Sequence, residues 1–146
     1  MIEKIKPLFT NKTNKYSKEV TDYLFHSLIP SIAKSSLKGG LTTIIDASFL
    51  KSKERSIMFS IAKEMKTKFI LVCCECNDSL AESRINKRRL LNIDPSEATV
   101  EVRNQQKKYI EHLKKDEASY KVTYSEQTSF NKILKEIEVM LSINND

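Results

Sequence analysis

Hydrophobic residues fall into short continuous runs and longer periodic stretches, and the two patterns predict different elements. Continuous runs of apolar and β-branched residues at positions 42–45 and 69–74 predict strands that are buried on both faces, as in a parallel sheet. A third run, residues 121–125, predicts another strand. Elsewhere apolar residues recur every three or four positions, which is typical of amphipathic helices.

Capping residues indicate where the helices begin and end. Ser17 is the predicted N-cap of a first helix that runs to about Lys38, with an interruption at Pro30. Gly39 or Gly40 supplies the left-handed residue that ends this helix. The remaining helices are predicted over residues 51–65, from the opening residues Asn77, Asp78 and Ser79 with a capping box of Ser79 and Glu82, from Asp94 to about Asp116, and from Thr128 or Ser129 onwards.

Strands that alternate with helices predict an α/β fold with a parallel sheet and right-handed crossovers. The length of 146 residues predicts one domain over residues 1–146, with room for a core. Residues 1–15 are rich in lysine, asparagine and threonine, and we expect them to form a flexible basic arm.

The composition argues against several classes of protein. No apolar run approaches the roughly 20 residues of a membrane span, and the charged N-terminus lacks the apolar region of a secretory signal. Three cysteines in one segment argue against a disulfide framework and for a reducing compartment, so we expect a cytoplasmic protein. The formal net charge of +6 favours polyphosphate, nucleic acid or acidic protein partners, unless the lysines only solvate the surface.

A single carboxylate, Asp46, follows the first predicted strand. In open α/β sheets the ligand crevice lies outside the carboxyl ends of the strands, so Asp46 is placed for chemistry on a nucleotide or a phosphoryl acceptor. The alternative is that Asp46 caps the turn into the next helix. In that helix, Arg55 can contact an anionic ligand, or else it is a surface arginine that pairs with Glu54 or Glu64.

Two arginines four residues apart, Arg84 and Arg88, share one face of a predicted helix, and Lys87 and Arg89 broaden the positive patch. A planar guanidinium makes bidentate contacts to phosphate oxygens and stabilises the charge that develops in phosphoryl transfer. The alternative is a solvated basic helix end, which the helix dipole favours.

The cysteines suggest a metal site, but their arrangement does not support one. Cys73 and Cys74 are adjacent in a predicted strand and therefore point to opposite faces. The histidines, His26 and His112, lie far from Cys76 in sequence. We therefore expect no metal site, and we expect the cysteines to be small buried hydrophobic residues.

Several motifs together resemble a known family. The segments IIDASFLKSKER, SRINKRR, DPSEATVEVRNQQ and KKDEA occur in the order found in the bacterial P-loop kinase-like, AAA-type ATP-binding domain that is often fused behind an aminoglycoside phosphotransferase-like domain. The resemblance spans about residues 8 to 120. The matching positions are Asp46, Ala47, Ser48, Phe49, Leu50, Arg55, Arg84, Arg88, Asp94, Pro95, Ser96, Glu97, Ala98, Gln106, Asp116 and Glu117.

The resemblance implies a nucleoside-kinase-like three-layer sandwich that uses ATP and Mg²⁺. Asp46 would face the magnesium–phosphate site or the acceptor hydroxyl, and Arg55 would contact the acceptor or its phosphate. Arg84 and Arg88 would lie in or beside a mobile lid over the nucleotide, to which residues 94–98 would also belong. Ser48 replaces the usual threonine of the family and Pro95 the usual alanine, and both changes are mild.

One departure from the family pattern concerns the phosphate loop. The family begins with a strand and a glycine-rich loop that ends in Gly-Lys-Ser/Thr, whereas this sequence has no glycine before Gly39. We therefore expect a P-loop fold without its first strand–loop–helix unit. The strand edges left unpaired would favour self-association or a chain that supplies the missing strand.

Three functions are compatible with these patterns. The first is the truncated part of an ATP-dependent small-molecule kinase, weakly active or inactive alone. The second is a non-enzymatic, degenerate module that binds a protein partner or a phosphate-bearing ligand. The third, nucleic-acid binding through residues 84–89, ranks last because no aromatic stacking residues accompany the basic patch.

Overall fold

The computed structural model describes residues 17–91 and 98–142, and of residues 118 and 119 only the backbone. The predicted basic arm, residues 1–15, and the predicted helix start at Asp94 lie outside the described residues. The chain divides into two units, residues 1–49 with 53–67 and residues 50–52 with 68–146. The expectation of one domain over residues 1–146 stays a prediction.

Helices dominate the first unit. They are α1 (Lys18–Tyr23), a π-helical turn (Leu24–Leu28), α2 (Ile29–Lys38) and α3 (Ser52–Glu64). The predicted N-cap is confirmed, because Ser17 Oγ accepts a hydrogen bond from the Val20 N–H at 3.3 Å. Pro30 does not break the helix. The wider π turn lies directly before it, and the helical backbone continues to Lys38.

The end of α2 is a Schellman motif, and Gly40 is its left-handed residue. Gly40 has φ 75°, its N–H donates to Leu37 O at 3.0 Å, and the Leu41 N–H donates to Ser36 O at 3.1 Å. Of the two glycines offered by the sequence, Gly40 is therefore the one that needs its backbone freedom.

The strand predicted at residues 42–45 does not form, and the prediction was wrong. Residues 41–50 are irregular, and the side chain of Ile44 is 91% exposed. A parallel strand is stable only when its backbone groups pair with neighbouring strands and both of its faces are covered. Within the described ranges the sheet consists of two later strands only, so the apolar run has nothing to pair with.

The core of the first unit is built from the apolar faces of its helices. Its buried apolar residues are Val20, Phe25, Ala33, Met58, Ile61 and Ala62. Helix α3 contributes three of these residues, Met58, Ile61 and Ala62, whose spacing places them on one face of the helix. At the surface, Lys34 Nζ of α2 lies 2.5 Å from Glu64 Oε1 of α3.

A two-stranded parallel sheet forms the centre of the second unit. Strand β1 covers Leu71–Cys74 and strand β2 covers Lys121–Tyr124, with Val72 opposite Val122. The Glu75 N–H extends the ladder by donating to Tyr124 O at 2.8 Å. Parallel pairing confirms the predicted sheet type, and the third predicted strand is confirmed as β2.

The expected burial of β1 on both faces was wrong. Val72 is 45% exposed, and Cys74 and Cys76 are also exposed, so the cysteines are not all buried hydrophobic residues. A strand becomes buried on both faces only where helices or other strands cover both faces of its sheet. In the part of the chain that the structure describes, β1 receives cover on one face.

Four helical segments accompany this sheet. They are α4 (Asp78–Leu91), α5 (Val100–Lys107), a 3₁₀ turn (Asp116–Tyr120) and α6 (Phe130–Ser142). Asn77 caps α4, since its Oδ1 accepts from the Leu80 N–H at 2.8 Å, so the capping box predicted at Ser79 was wrong. Ser129, one of the two candidates, caps α6 by accepting from the Lys132 N–H at 3.3 Å.

Helix α5 ends earlier than its predicted end near Asp116. Its last residue is Lys107, and the chain beyond it binds other segments instead of continuing the helical ladder. The Glu111 N–H donates to Leu50 O at 2.8 Å, and Glu111 Oε2 accepts from the Ser52 N–H at the same distance. These bonds replace the intrahelical bonds that a longer α5 would have made.

The predicted fold class is confirmed in outline: the chain is an α/β protein with a small parallel sheet, compatible with a P-loop-like fold. The three-layer arrangement and the missing first unit stay predictions. Among the helices of the described ranges, none combines the length and apolar character needed to cross a bilayer.

Candidate functional site

Arginine side chains from two helices of the second unit line one hollow. The hollow has a volume of about 420 Å³ and is lined by Cys76, Ala81, Arg84, Ile85, Arg88 and Arg103. We call it the arginine pocket. Three of its six lining residues are cations, and the others are apolar or weakly polar, so the pocket is suited to a small anion.

Helix α4 brings Arg84 and Arg88 to the same pocket, as their spacing predicted. Residues four apart lie one above the other on a helix, and the buried Ile85 beside them fixes that side of α4 toward the core. Both arginine side chains are exposed. Their exposure also fits the alternative of a solvated basic helix end.

The third arginine, Arg103 on α5, was not predicted. Its Nη2 donates to Asp78 Oδ1 at 2.6 Å, and its side chain is only 20% exposed. Its Nη1 is buried and has no hydrogen-bond partner among the described residues. The sequence signal was present in the pair Arg103 and Lys107, four residues apart and so on one face of α5, with Asp78 able to pair with both.

Asp78 joins the two helices electrostatically. Its Oδ2 accepts from Lys107 Nζ at 2.6 Å, while Oδ1 accepts from Arg103. Hydrogen bonds from Arg103 and Lys107 lower the pKa of the Asp78 carboxyl to about 2. On the same helix pair, a hydrogen bond from Thr99 is the main cause that lowers the pKa of Glu101, with a smaller contribution from Arg89.

The predicted acidic site residue, Asp46, lies in the irregular segment 41–50 of the first unit. Its side chain is exposed. Because the strand that was expected to end at Asp46 does not form, its placement at the carboxyl end of a sheet strand was wrong. Its proposed chemical role stays a prediction.

Arg55 is not the surface arginine that the alternative reading assumed. It is 5% exposed, and its Nη1 donates to Phe49 O at 2.9 Å. Phe49 has a left-handed backbone with φ 40°, and its ring meets the Phe25 ring edge to face, with centroids 5.3 Å apart. Arg55 thus anchors the end of the segment that carries Asp46, and Glu64 pairs with Lys34. The expected contact of Arg55 with an acceptor stays a prediction.

The groups that line the arginine pocket decide which kind of cofactor could bind there. The guanidinium groups of the arginine pocket suit phosphate oxygens. Among the described residues, no cluster of three or more His, Cys, Asp or Glu side chains could hold a metal ion. Of the predicted lid segment 94–98, only Ala98 lies within the described ranges.

The chain matches the model of a known protein family. The family model described as an AAA domain matches residues 1–113, which is most of the chain. A search of curated proteins and a search of solved structures each gave no match.

Proposed function

The chain belongs to the AAA domain family, a P-loop NTPase-like family, and on that premise we propose that it is part of an ATP-dependent small-molecule kinase. The observation that carries this proposal is the convergence of Arg84 and Arg88 on one hollow of about 420 Å³. These arginines were singled out by the family motif, and the pocket gives them a common ligand space.

In this proposal the arginine pocket binds phosphate oxygens of the nucleotide. Arginine forks hold phosphate in a fixed orientation and offset the charge that builds up during phosphoryl transfer. Bound ATP would supply the phosphoryl group, and Mg²⁺ would neutralise part of its charge. Arg84 and Arg88 hold the anion in position and offset part of its negative charge.

Asp46 is the proposed acidic residue for the acceptor hydroxyl or the magnesium–phosphate group. Its exposure leaves the carboxylate accessible to a substrate. Arg55 is proposed to contact the acceptor or its phosphate, and its hydrogen bond to Phe49 O would also hold the segment that carries Asp46. Both roles come from the family motif and from the positions of these residues in the first unit.

Nucleotide binding at full strength then needs a phosphate loop from outside the printed sequence, which has no Gly-x-x-x-x-Gly-Lys-Ser/Thr motif. A segment that carries the loop and its strand, on the same gene product or another chain, would be the partner. The pairing of β1 with β2 alone among the described strands supports this view, because a strand edge without a neighbour can accept another strand by main-chain hydrogen bonds.

Isothermal titration with Mg-ATP tests the binding part of the proposal. We expect the 146-residue chain alone to bind weakly, and a co-expressed segment with a strand and Gly-x-x-x-x-Gly-Lys-Ser to tighten binding. Arg84→Ala should weaken the complex, whereas Lys87→Ala removes an equal charge from the same helix outside the pocket and should have little effect. Tight Mg-ATP binding by the chain alone would contradict the need for an added loop.

Turnover tests the kinase part. ADP formation by the combined polypeptides, measured with a panel of hydroxylated small molecules, should depend on acceptor and be abolished by Asp46→Asn. Activity unchanged in Asp46→Asn would exclude the role proposed for this residue. Binding of phosphate-bearing ligands without any transfer would favour the second candidate, a non-enzymatic module, which the missing loop motif also supports.

A further inference from the structure

We propose that Arg103 is a third anion-binding arginine and that Asp78 holds it in position, so that the arginine pocket takes a phosphoryl group. This inference deepens the proposed function and rests on it for the nature of the ligand. Its geometric basis is separate: Arg103 lines the pocket, although no family motif singled it out.

The two terminal nitrogens of Arg103 have different surroundings. Nη2 donates to Asp78 Oδ1 at 2.6 Å, whereas Nη1 is buried without a hydrogen-bond partner in the described part of the chain. Buried donors in native proteins are nearly always paired, and an unpaired one calls for an explanation. Because Nη1 is itself closed to solvent, a ligand would contact Arg103 at those of its atoms that line the pocket, beside a donor that the described residues leave unpaired.

Asp78 restrains Arg103 without lining the pocket itself. Its second oxygen accepts from Lys107 Nζ at 2.6 Å, so both carboxylate oxygens are used on the side of α5. A guanidinium held at one nitrogen by a carboxylate loses rotational freedom before any ligand arrives. Less entropy is then lost on binding, which is the benefit of preorganisation. Asp78 is therefore a positioning residue.

The pocket is better matched to a phosphoryl group than to a carboxylate or a chloride ion. Its three cations, Arg84, Arg88 and Arg103, can together satisfy a group with several oxygens and more than one negative charge. Ala81 and Ile85 form an apolar wall next to the arginines. A phosphate ester or the end of a polyphosphate chain fits this description.

Titration of the ¹⁵N-labelled chain with inorganic pyrophosphate tests the inference directly. The Nε–Hε signals of Arg84, Arg88 and Arg103 should shift together and saturably in the unmodified protein. Arg103→Ala should raise the Kd about tenfold or more, as expected for losing a charge-assisted hydrogen bond. Lys87→Ala, which removes a charge from α4 outside the pocket, should change the Kd less than about twofold.

A second variant keeps the test informative if Arg103→Ala fails to fold. Arg103→Lys retains a cation that can pair with Asp78 but lacks the second terminal nitrogen, so we expect intermediate weakening of pyrophosphate binding. Equal losses in Arg103→Lys, Arg103→Ala and Lys87→Ala would show diffuse electrostatic attraction and would overturn the inference. The inference would also be overturned if the Arg103 signal stayed unshifted while the shift of the Arg84 signal saturated with pyrophosphate.

The positioning role has its own readout. In the unmodified protein the terminal N–H signals of Arg103 should be resolved, because the bond to Asp78 slows rotation of the guanidinium. Asp78→Asn should broaden these signals and weaken the binding of pyrophosphate. Lys107→Ala is the matched control, since it removes the other partner of Asp78 and leaves the Arg103 bond intact. Sharp signals in Asp78→Asn, or equal effects of Lys107→Ala, would exclude a positioning role.

The experiments distinguish a failure of the kinase proposal from a failure of the inference about Arg103. Saturable pyrophosphate binding that needs Arg103, without any acceptor-dependent ADP formation, would support the inference and count against the kinase. Acceptor-dependent ADP formation that is unchanged in Arg103→Ala would support the kinase and overturn the inference.

Discussion

Arginines occupy contrasting environments in the two units of this protein. Arg55, in the first unit, is almost fully buried and donates to the backbone oxygen of Phe49. Arg84, in the second unit, is exposed and lines a hollow with two other arginines. The same type of side chain therefore makes a buried contact with the backbone in one region and lines an exposed hollow in the other.

The comparison shows what decides between these roles. A guanidinium can satisfy main-chain carbonyls as well as phosphate oxygens, because its donors form a rigid planar fork. Burial and the nature of the acceptor separate the two uses, and neither property follows from spacing along the sequence. Arg103 lies between the extremes, with one terminal nitrogen bonded to Asp78 and the other buried without a partner among the described residues.

The largest effect should come from removing the clamp, by which we mean the bond of buried Arg55 to Phe49 O. Arg55→Ala leaves Phe49 O without its donor in a partly buried setting and empties the buried site of the Arg55 side chain, and we expect a loss of about 2 kcal/mol in the free energy of unfolding. Urea denaturation measures this loss. Lys53→Ala, an exposed change in the same helix, should stay within about 0.5 kcal/mol of the unmodified protein. Equal stability of Arg55→Ala and Lys53→Ala would contradict the clamp.

A smaller effect concerns the backbone that the clamp holds. Phe49 has φ 40°, a conformation that costs an L-residue energy and glycine very little. Phe49→Gly and Phe49→Ala both lose the ring contact with Phe25, so their difference isolates the backbone strain. We expect the glycine variant to be about 0.5–1 kcal/mol more stable in urea denaturation. A more stable alanine variant would show that the strain is absent.

The exposed arginines should be dispensable for stability. Arg84→Ala is expected to change the free energy of unfolding by less than about 0.5 kcal/mol, since the side chain is exposed. The same variant should weaken pyrophosphate binding, which can be followed by calorimetry. A variant that loses stability as much as Arg55→Ala would place Arg84 among the structural arginines and remove the contrast between the two regions.

The smallest expected effect is a change of the free energy of unfolding with pH in the acidic range. The folded-state pKa of Asp78 is about 2, below its ordinary value of 3.8, so its ion pairs stabilise the fold above that ordinary value. Their contribution is lost as the pH falls toward about 2. The stability difference between the unmodified protein and Asp78→Asn should therefore be present near neutral pH and disappear in strong acid. A difference that does not vary with pH would contradict the assignment.

Much of the fold could be predicted because its signals are local. Ser17 caps α1 through a bond to a residue three positions away, and strand β2 follows from a short β-branched run. The predicted strand at residues 42–45 failed for the opposite reason. Strand formation depends on a partner elsewhere in the chain, and Ile44 has none among the described strands. Helix α5 likewise ends where Glu111 bonds to Leu50, a contact between distant positions.

The candidate site also combines residues that local patterns predict with residues that depend on distant contacts. Arg84 and Arg88 were predicted because a spacing of four is a local property of one helix. Arg103 was missed because its place in the pocket depends on how α4 and α5 pack, which the spacing of residues along one helix does not give. Arg55 was predicted to contact an anionic ligand, but its bond to the Phe49 oxygen could not be inferred from the sequence.

The π-helical turn at Leu24–Leu28 has a consequence for the length of this helix. Buried Val20 and Phe25 are five residues apart, which suits a wide turn and not the ordinary four. The turn behaves as a one-residue insertion that the helix has absorbed without losing its inward face. Shortening this stretch by one residue would convert it to a regular α-helix and keep both faces aligned, so related chains can differ here by one residue without a change of fold.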